Sequence, residues 1–295
     1  MHKIILLLIS FLSISNLQAQ QEALFTQNTQ NVYLLNPASY GAENKHQLRL
    51  FVRQNWMLFK DAPLTFGMSY QGLIKEKHGV GGLIYLDQSG PFQVLGIKAG
   101  YAFHIPLSEK SRLSLGLTGK YHQTRINSRN LVTLSGQDAS IDLAQSSAIT
   151  GDAEFGIYYY SPRFYAGLAS SNLIQSRLSF TGLSEAKLYR HYYANMGLKI
   201  PLKGKQHSLE PFINARMVNT LRPQVDVGLQ VNLLEDAIQA GVLYRSSGAV
   251  GIYFAGTFDN QFLVSFSLDF ITGNPANYSA LNYETVLGYD FPSGR

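Results

Sequence analysis

The sequence contains no cysteine. Disulfides, thiolate catalysis and cysteine-ligated metals are excluded at once. Charged residues are scarce, 15% of the chain against about 25% in soluble proteins. The basic residues are scattered singly, so no patch suits a nucleic acid, and none is expected as partner. Beyond the first residues, no stretch approaches the ~18 apolar residues of a transmembrane helix. An exported chain of this kind holds together by packing or by closing a sheet on itself.

What is present is aromatic and glycine-rich: 18 Tyr, 17 Phe and 26 Gly among 295 residues. Mean hydropathy is nevertheless −0.04. Many aromatics with middling hydropathy suit a membrane β-barrel, which needs apolar residues only at alternate positions. The chain opens MHKIILLLISFLSISNLQA. Lys3 supplies a positive start, Ile4 to Ile14 an apolar centre, and Ser15 to Ala19 a polar stretch ending in a small residue. Residues 1–19 read as a secretory signal peptide cleaved after Ala19 or Gln20. Losing Lys3 with it lowers the net charge from +5 to +4.

After residue 46, segments of about ten residues alternate apolar and polar between turn residues. In QFLVSFSLDF, Phe262, Val264, Phe266, Leu268 and Phe270 share one face, with Ser265, Ser267 and Asp269 on the other. In NYETVLGYDF, Tyr283, Thr285, Leu287, Tyr289 and Phe291 oppose Glu284, Val286, Gly288 and Asp290. Five large residues on one face make a band about 25 Å tall on a tilted strand. Fourteen strands are predicted: 47–56, 64–74, 78–87, 91–104, 111–124, 150–160, 163–170, 189–200, 207–218, 223–231, 236–246, 249–257, 262–270 and 282–291. An even count closes an antiparallel barrel with both termini on one side, and closure removes edges that lipid does not tolerate. The fold class is therefore an all-β outer-membrane barrel of 47–295.

Loop lengths agree. The connections IKEK, IPLSEKS, SP, PLKGKQ, NLLED and FDNQ are short and fall on one side. The long ones, 125–149, 171–188 and 271–281, fall on the other. Outer-membrane barrels have short periplasmic turns and longer external loops.

Residues 20–46 do not alternate. They are rich in Gln and Asn, with Tyr33, Leu34, Leu35 and Tyr40 as apolar anchors and a turn at Asn36-Pro37. Two placements remain open from the residues alone. One is an N-terminal plug folded into the lumen, its amides bonded to inward polar side chains. The other is a tethered periplasmic arm. Arg49, Arg53, Asn55, Lys98, Lys120, Asp152, Glu154, Glu210, Arg216 and Asp226 are expected to face the lumen, paired with one another or anchoring the plug. Trp56 is expected in the interfacial aromatic girdle.

The stretch LLNPASYG, followed by FVRQNW and APLTFGMSYQG, resembles the N-terminal signature of the PorP/SprF family of type IX secretion membrane proteins. The counterparts are Asn36, Pro37, Ala38, Tyr40 and Gly41; Arg53, Gln54, Asn55 and Trp56; Pro63, Thr65, Ser69 and Tyr70. SFSLDF followed by NYSALNYETVLGYDF is similar to the family's closing strand pair. Ser39, Gln71 and the terminal PSGR depart from the family's pattern. The Asn-Pro-Ala element also resembles the hatch that plugs fourteen-stranded FadL-type barrels. The family resemblance implies export or surface attachment of particular cargo, often gliding adhesins, together with a periplasmic secretion ring. Cargo C-terminal domains would meet loops 125–149 and 171–188, short turns would face the ring, and the outer face would meet outer-membrane lipid.

Catalytic chemistry is hard to find. The seven histidines are spread out, with no H-E-x-x-H or H-x-x-x-H, so neither metal nor cofactor is expected. His104 and His122 lie near predicted strand ends and read as interfacial. Asp152 and Glu154 form a carboxylate pair on one strand face, read as answered by inward Arg or Lys. GVGGL at Gly79 to Leu83 reads as strand glycine that relieves crowding or permits curvature. There is no nucleophile elbow, P-loop or dinucleotide fingerprint. The leading expectation is a non-enzymatic docking barrel. The alternative is a FadL-like channel for small solutes gated by the N-terminal segment.

Overall fold

A computed structural model describes residues 25–27, 31–57, 59–127, 146–180, 186–202, 206–219, 221, 223–272 and 281–292. The signal peptide and most of loop 125–149 lie outside them. So do 181–185 of loop 171–188 and most of loop 271–281.

Fourteen antiparallel strands close on themselves. In chain order they are β1 (His46–Gln54), β2 (Leu64–Ile74), β3 (His78–Ser89), β4 (Phe92–Pro106) and β5 (Arg112–Ile126). There follow β6 (Ser146–Tyr160), β7 (Phe164–Ser171), β8 (His191–Leu198), β9 (Ser208–Val218) and β10 (Gln224–Leu233). The last are β11 (Ile238–Arg245), β12 (Ala249–Phe258), β13 (Phe262–Ile271) and β14 (Leu281–Phe291). Each pairs with its successor, and β14 pairs with β1 from His46↔Phe291 to Gln54↔Tyr283, closing the cylinder.

Alternation assigns the faces. Along β13, Phe262, Val264, Phe266 and Phe270 are exposed, while Leu263, Ser265, Ser267 and Asp269 are buried. Along β5, Leu115, Leu117 and Tyr121 are exposed, while Ser114, Gly116, Thr118 and Lys120 are buried. Large apolar groups outside and charges inside invert the order of a soluble sandwich. Such a surface is stable only against an apolar medium. No helix among the described residues is long and apolar enough to cross a membrane.

The short turns use paired left-handed residues, Lys75 and Glu76 after β2 and Asp259 and Asn260 after β12. That backbone matches the twist of a tight hairpin. All fourteen predicted strands are present, including the short β7 and β11. Boundaries differ where local geometry intervenes. β1 ends at Gln54 rather than at 56, because Trp56 sits at φ 51 in the following turn. β5 and β6 run to Ile126 and back from Ser146, so the strands absorb both ends of the expected loop 125–149.

Candidate functional site

The site is built where the N-terminal segment meets the inward face of the wall. Asn36, at extended φ and ψ, caps a single 3-10 turn, Pro37–Ser39. Its Oδ1 accepts from the Ala38 N–H at 2.9 Å, and proline at the first position already has the φ the turn needs. The same amide reaches the wall: Nδ2 donates to the carbonyls of Ile157 at 3.0 Å and Leu168 at 3.4 Å. Asn36 and Ala38 are fully buried.

The wall meets this turn with glycine. A Cβ on Gly156 would lie 2.0 Å from Asn36 Oδ1, and one on Gly116 would lie 2.3 Å from the Ala38 nitrogen. One on Gly81 would lie 2.0 Å from the Tyr40 ring, and one on Gly79 would strike the Tyr40 carbonyl. Gly100 and Gly167 complete the surface, against Tyr40 and Asn36. These glycines belong to β3, β4, β5, β6 and β7 in turn. The GVGGL glycines, Gly79 and Gly81, thus make room for Tyr40. The segment leaves through Gly41 at φ 79, where its N–H donates to Gln71 Oε1 at 2.6 Å.

His104 corrects its expected interfacial place: it is fully buried. Its Nε2 bonds the Tyr40 carbonyl at 2.8 Å and its Nδ1 the Tyr160 hydroxyl at 2.8 Å. Strand parity put it inward, but proximity to a strand end suggested exposure. Nothing in the sequence announced that Tyr40 would cover it.

A second contact lies about the closing seam, on β1, β13 and β14. Thr26 donates its N–H to Glu284 at 2.8 Å and its hydroxyl to Asp269 at 2.7 Å. Arg53 binds both carboxylates, at 2.7 Å to Asp269 and 3.0 Å to Glu284, with all three side chains 1% exposed. It also donates to the Thr26 hydroxyl at 2.9 Å. Gln27 accepts from Ser265, and the Phe25 ring stands edge-on to Phe51 at 5.0 Å. Arg245 extends the network from Asp269 to Asp226, at 3.3 and 3.2 Å. In the sequence nothing sets Phe25–Gln27 apart from the rest of residues 20–46. Asp269 and Glu284 were legible as inward by alternation, but their convergence on Arg53 across the closing seam was not.

The predicted lumenal residues divide by partner. Arg49 is buried and meets Asp290 at 2.6 Å. Lys98 and Lys120 both meet Glu154, at 2.7 and 3.1 Å. Asp152 accepts instead from the backbone N–H groups of Ala153, Ile174 and Ser176, at 2.7, 2.9 and 3.0 Å. Asn55 sits just past β1 and accepts from Arg53 Nε at 3.1 Å. Glu210 accepts from the Tyr165 hydroxyl and from Asn232, both at 3.2 Å. Arg216 donates to Gln224 at 2.6 Å, and Asp226 pairs with Arg245. Trp56 is 45% exposed in the turn after β1. No group of metal-ligating side chains occurs among the described residues.

The fold is that of known outer-membrane barrels. The monoaromatic hydrocarbon channel CymD superposes with a TM-score of 0.58 at 12% identity, over 93% of this chain and 95% of that one. The Ralstonia pickettii toluene transporter TbuX gives 0.55 at 10%, over 88% and 92%. A Pseudomonas aeruginosa FadL homologue gives 0.51 at 9%, over 87% and 92%. No curated protein matches the sequence. The family model for the type IX secretion system membrane protein PorP/SprF matches residues 17–289. An outer-membrane barrel closed by fourteen strands, matched along nearly its whole length, belongs to the PorP/SprF family of type IX secretion system membrane proteins.

Proposed function

We propose that this barrel is a non-enzymatic docking platform. Residues 20–46 close its lumen, and its two ends serve different partners. The observation that carries the reading is the seat of Asn36 to Tyr40 on inward glycines of five consecutive strands. A segment that fills space down to the backbone is a fixed part of the wall. With 1–19 removed as a signal peptide and 20–46 as plug, 47–295 is the scaffold. Loops 125–149 and 171–188 face outward and take the C-terminal domain of a secreted cargo, such as a gliding adhesin. Loop backbone there can accept an added strand. The short turns face the periplasmic ring. A folded cargo does not fit through a lumen of this strand number. The lumenal charges solvate the interior and anchor the plug, and Trp56 sits in the interfacial girdle.

The test is a pull-down from outer membranes in mild detergent. Ring components or one large surface protein should co-purify, and a deletion strain should lose that surface protein while nutrient uptake stays normal. The second reading is a small-solute channel gated by the same segment. Proteins named as aromatic hydrocarbon transporters share this barrel shape. Free conductance of the purified full chain would favour the channel and count against the platform.

A further inference from the structure

Charges inside a barrel are expected to be answered, and several are. Arg49, Arg53, Lys98, Lys120 and Arg245 each pair with a carboxylate. Arg216 on β9 is one that is not: it makes no ion pair among the described residues. Its one side-chain bond goes to the neutral amide oxygen of Gln224, at 2.6 Å. Gln224 donates in turn to Asp226 at 3.3 Å, which fixes its amide with the oxygen toward Arg216. Asp226 is itself neutralised, both oxygens accepting from Arg245 Nε at 3.2 Å. A guanidinium has five N–H donors. Those of Arg216 left over are not buried, and the side chain is half-buried on the lumenal face.

A second donor stands beside it. Asn195 on β8 is 6% exposed, and its Nδ2 has no hydrogen-bond partner. Register places Asn195 opposite Asn214 and Tyr193 opposite Arg216. Asn195 and Arg216 are therefore diagonal cross-strand neighbours on one face, roughly 7–8 Å apart along the backbone. Asn214, Tyr193 and Gln224 around them are half-buried, whereas Asn195 and Asp226 are buried. Asn195 and Arg216 thus stand in a polar cluster on the lumenal face. Arg216 lies two residues from the end of β9, and Gln224 opens β10, both on the side of the long connections.

We propose that this polar cluster binds a carboxylate. Arg216 would hold it through the planar fork that matches two carboxylate oxygens, and Asn195 Nδ2 would donate to one of them. The ligand arrives from the external mouth, either as a small free acid or as the carboxylate of an extended peptide. The inference does not rest on the docking reading, since it asks only what the lumenal wall binds.

The test uses the purified full chain in detergent micelles, with trifluoroacetate as probe and its fluorine NMR linewidth as readout at constant chloride. The probe should broaden with the wild type. Arg216→Gln should weaken binding at least about tenfold, and Asn195→Ala about threefold. Equal broadening in wild type and Arg216→Gln, or none in either, overturns the proposal. Folding of each variant is checked by heat-modifiable migration on gels. If Arg216→Gln does not fold, Asn195→Ala carries the test, and unchanged binding there overturns it. A short peptide with a free C terminus, set against its amidated form, distinguishes the sources. Displacement of the probe by the free acid only assigns a peptide carboxylate. Displacement by neither, with the probe still bound, assigns a small acid.

Discussion

The two walls that hold the N-terminal segment work by different physics. On the β3–β7 side, contact is by shape: glycine backbone meets the turn at Asn36–Ala38 and the Tyr40 ring. Around β13, β14 and β1, contact is by charge: Thr26 enters a buried cluster of Arg53, Asp269 and Glu284. The glycine wall can lose its occupant and remain a sheet, because its strands are paired to one another regardless. The charged wall cannot lose a member so easily. Arg53 joins β1 to β13 and β14 across the seam that closes the barrel, and an unanswered carboxylate in the interior is costly. Fit locates the segment, and charge ties it to closure.

The largest effect tests the charged wall. Arg53→Leu leaves Glu284 without its cation and Asp269 with Arg245 alone. A loss of about 3–5 kcal/mol is expected, read as a lower urea midpoint for the unfolded-to-folded gel shift. A midpoint unchanged from wild type would remove the distinction between the walls. Next is the glycine wall. Gly116→Val drives a side chain into the backbone of Pro37 and Ala38. It should cost about 1–3 kcal/mol of overpacking or expel the turn. Limited proteolysis should then cut near residues 31–41 while the barrel core keeps its folded migration. Resistance equal to wild type contradicts the contact. Asn36→Ala removes the cap and the bonds to Ile157 and Leu168, for about 1–2 kcal/mol in urea titration. The smallest effect calibrates the scale. Lys199 and Asp236 form a half-exposed ion pair between turns. Lys199→Ala should change stability by no more than about 1 kcal/mol, and less still at high salt.

The barrel was legible because its signal is local and repeated. Each strand carries its own alternation, and loop parity checks the count, so even β7 and β11 were found. The inward face was legible for the same reason: Asp269, Glu284, Lys98 and Glu154 all obey the two-residue rule. What was not legible depends on pairs far apart in sequence. Thr26 and Asp269 are 243 residues apart and meet only because the sheet closes. His104 looked like a strand-end histidine until Tyr40 covered it. Glycine in a strand has several physical meanings. Only the position of Tyr40 distinguishes the space-making role of Gly79 and Gly81 from curvature. Ends of strands slipped by a few residues, because backbone angles such as that of Trp56 are not written in hydropathy.

Residues 36–41 are buried against the lumenal wall. The chain has no cysteine, so a single introduced thiol reports without background. Ser39→Cys is nearly isosteric at a buried position, and Asn44→Cys marks an exposed one two residues before β1 begins. With the folded barrel in liposomes permeabilised to a membrane-impermeant maleimide, the account predicts rapid labelling at residue 44 and none at residue 39 until urea unfolds the chain. Rapid labelling at both positions in the folded barrel would contradict it.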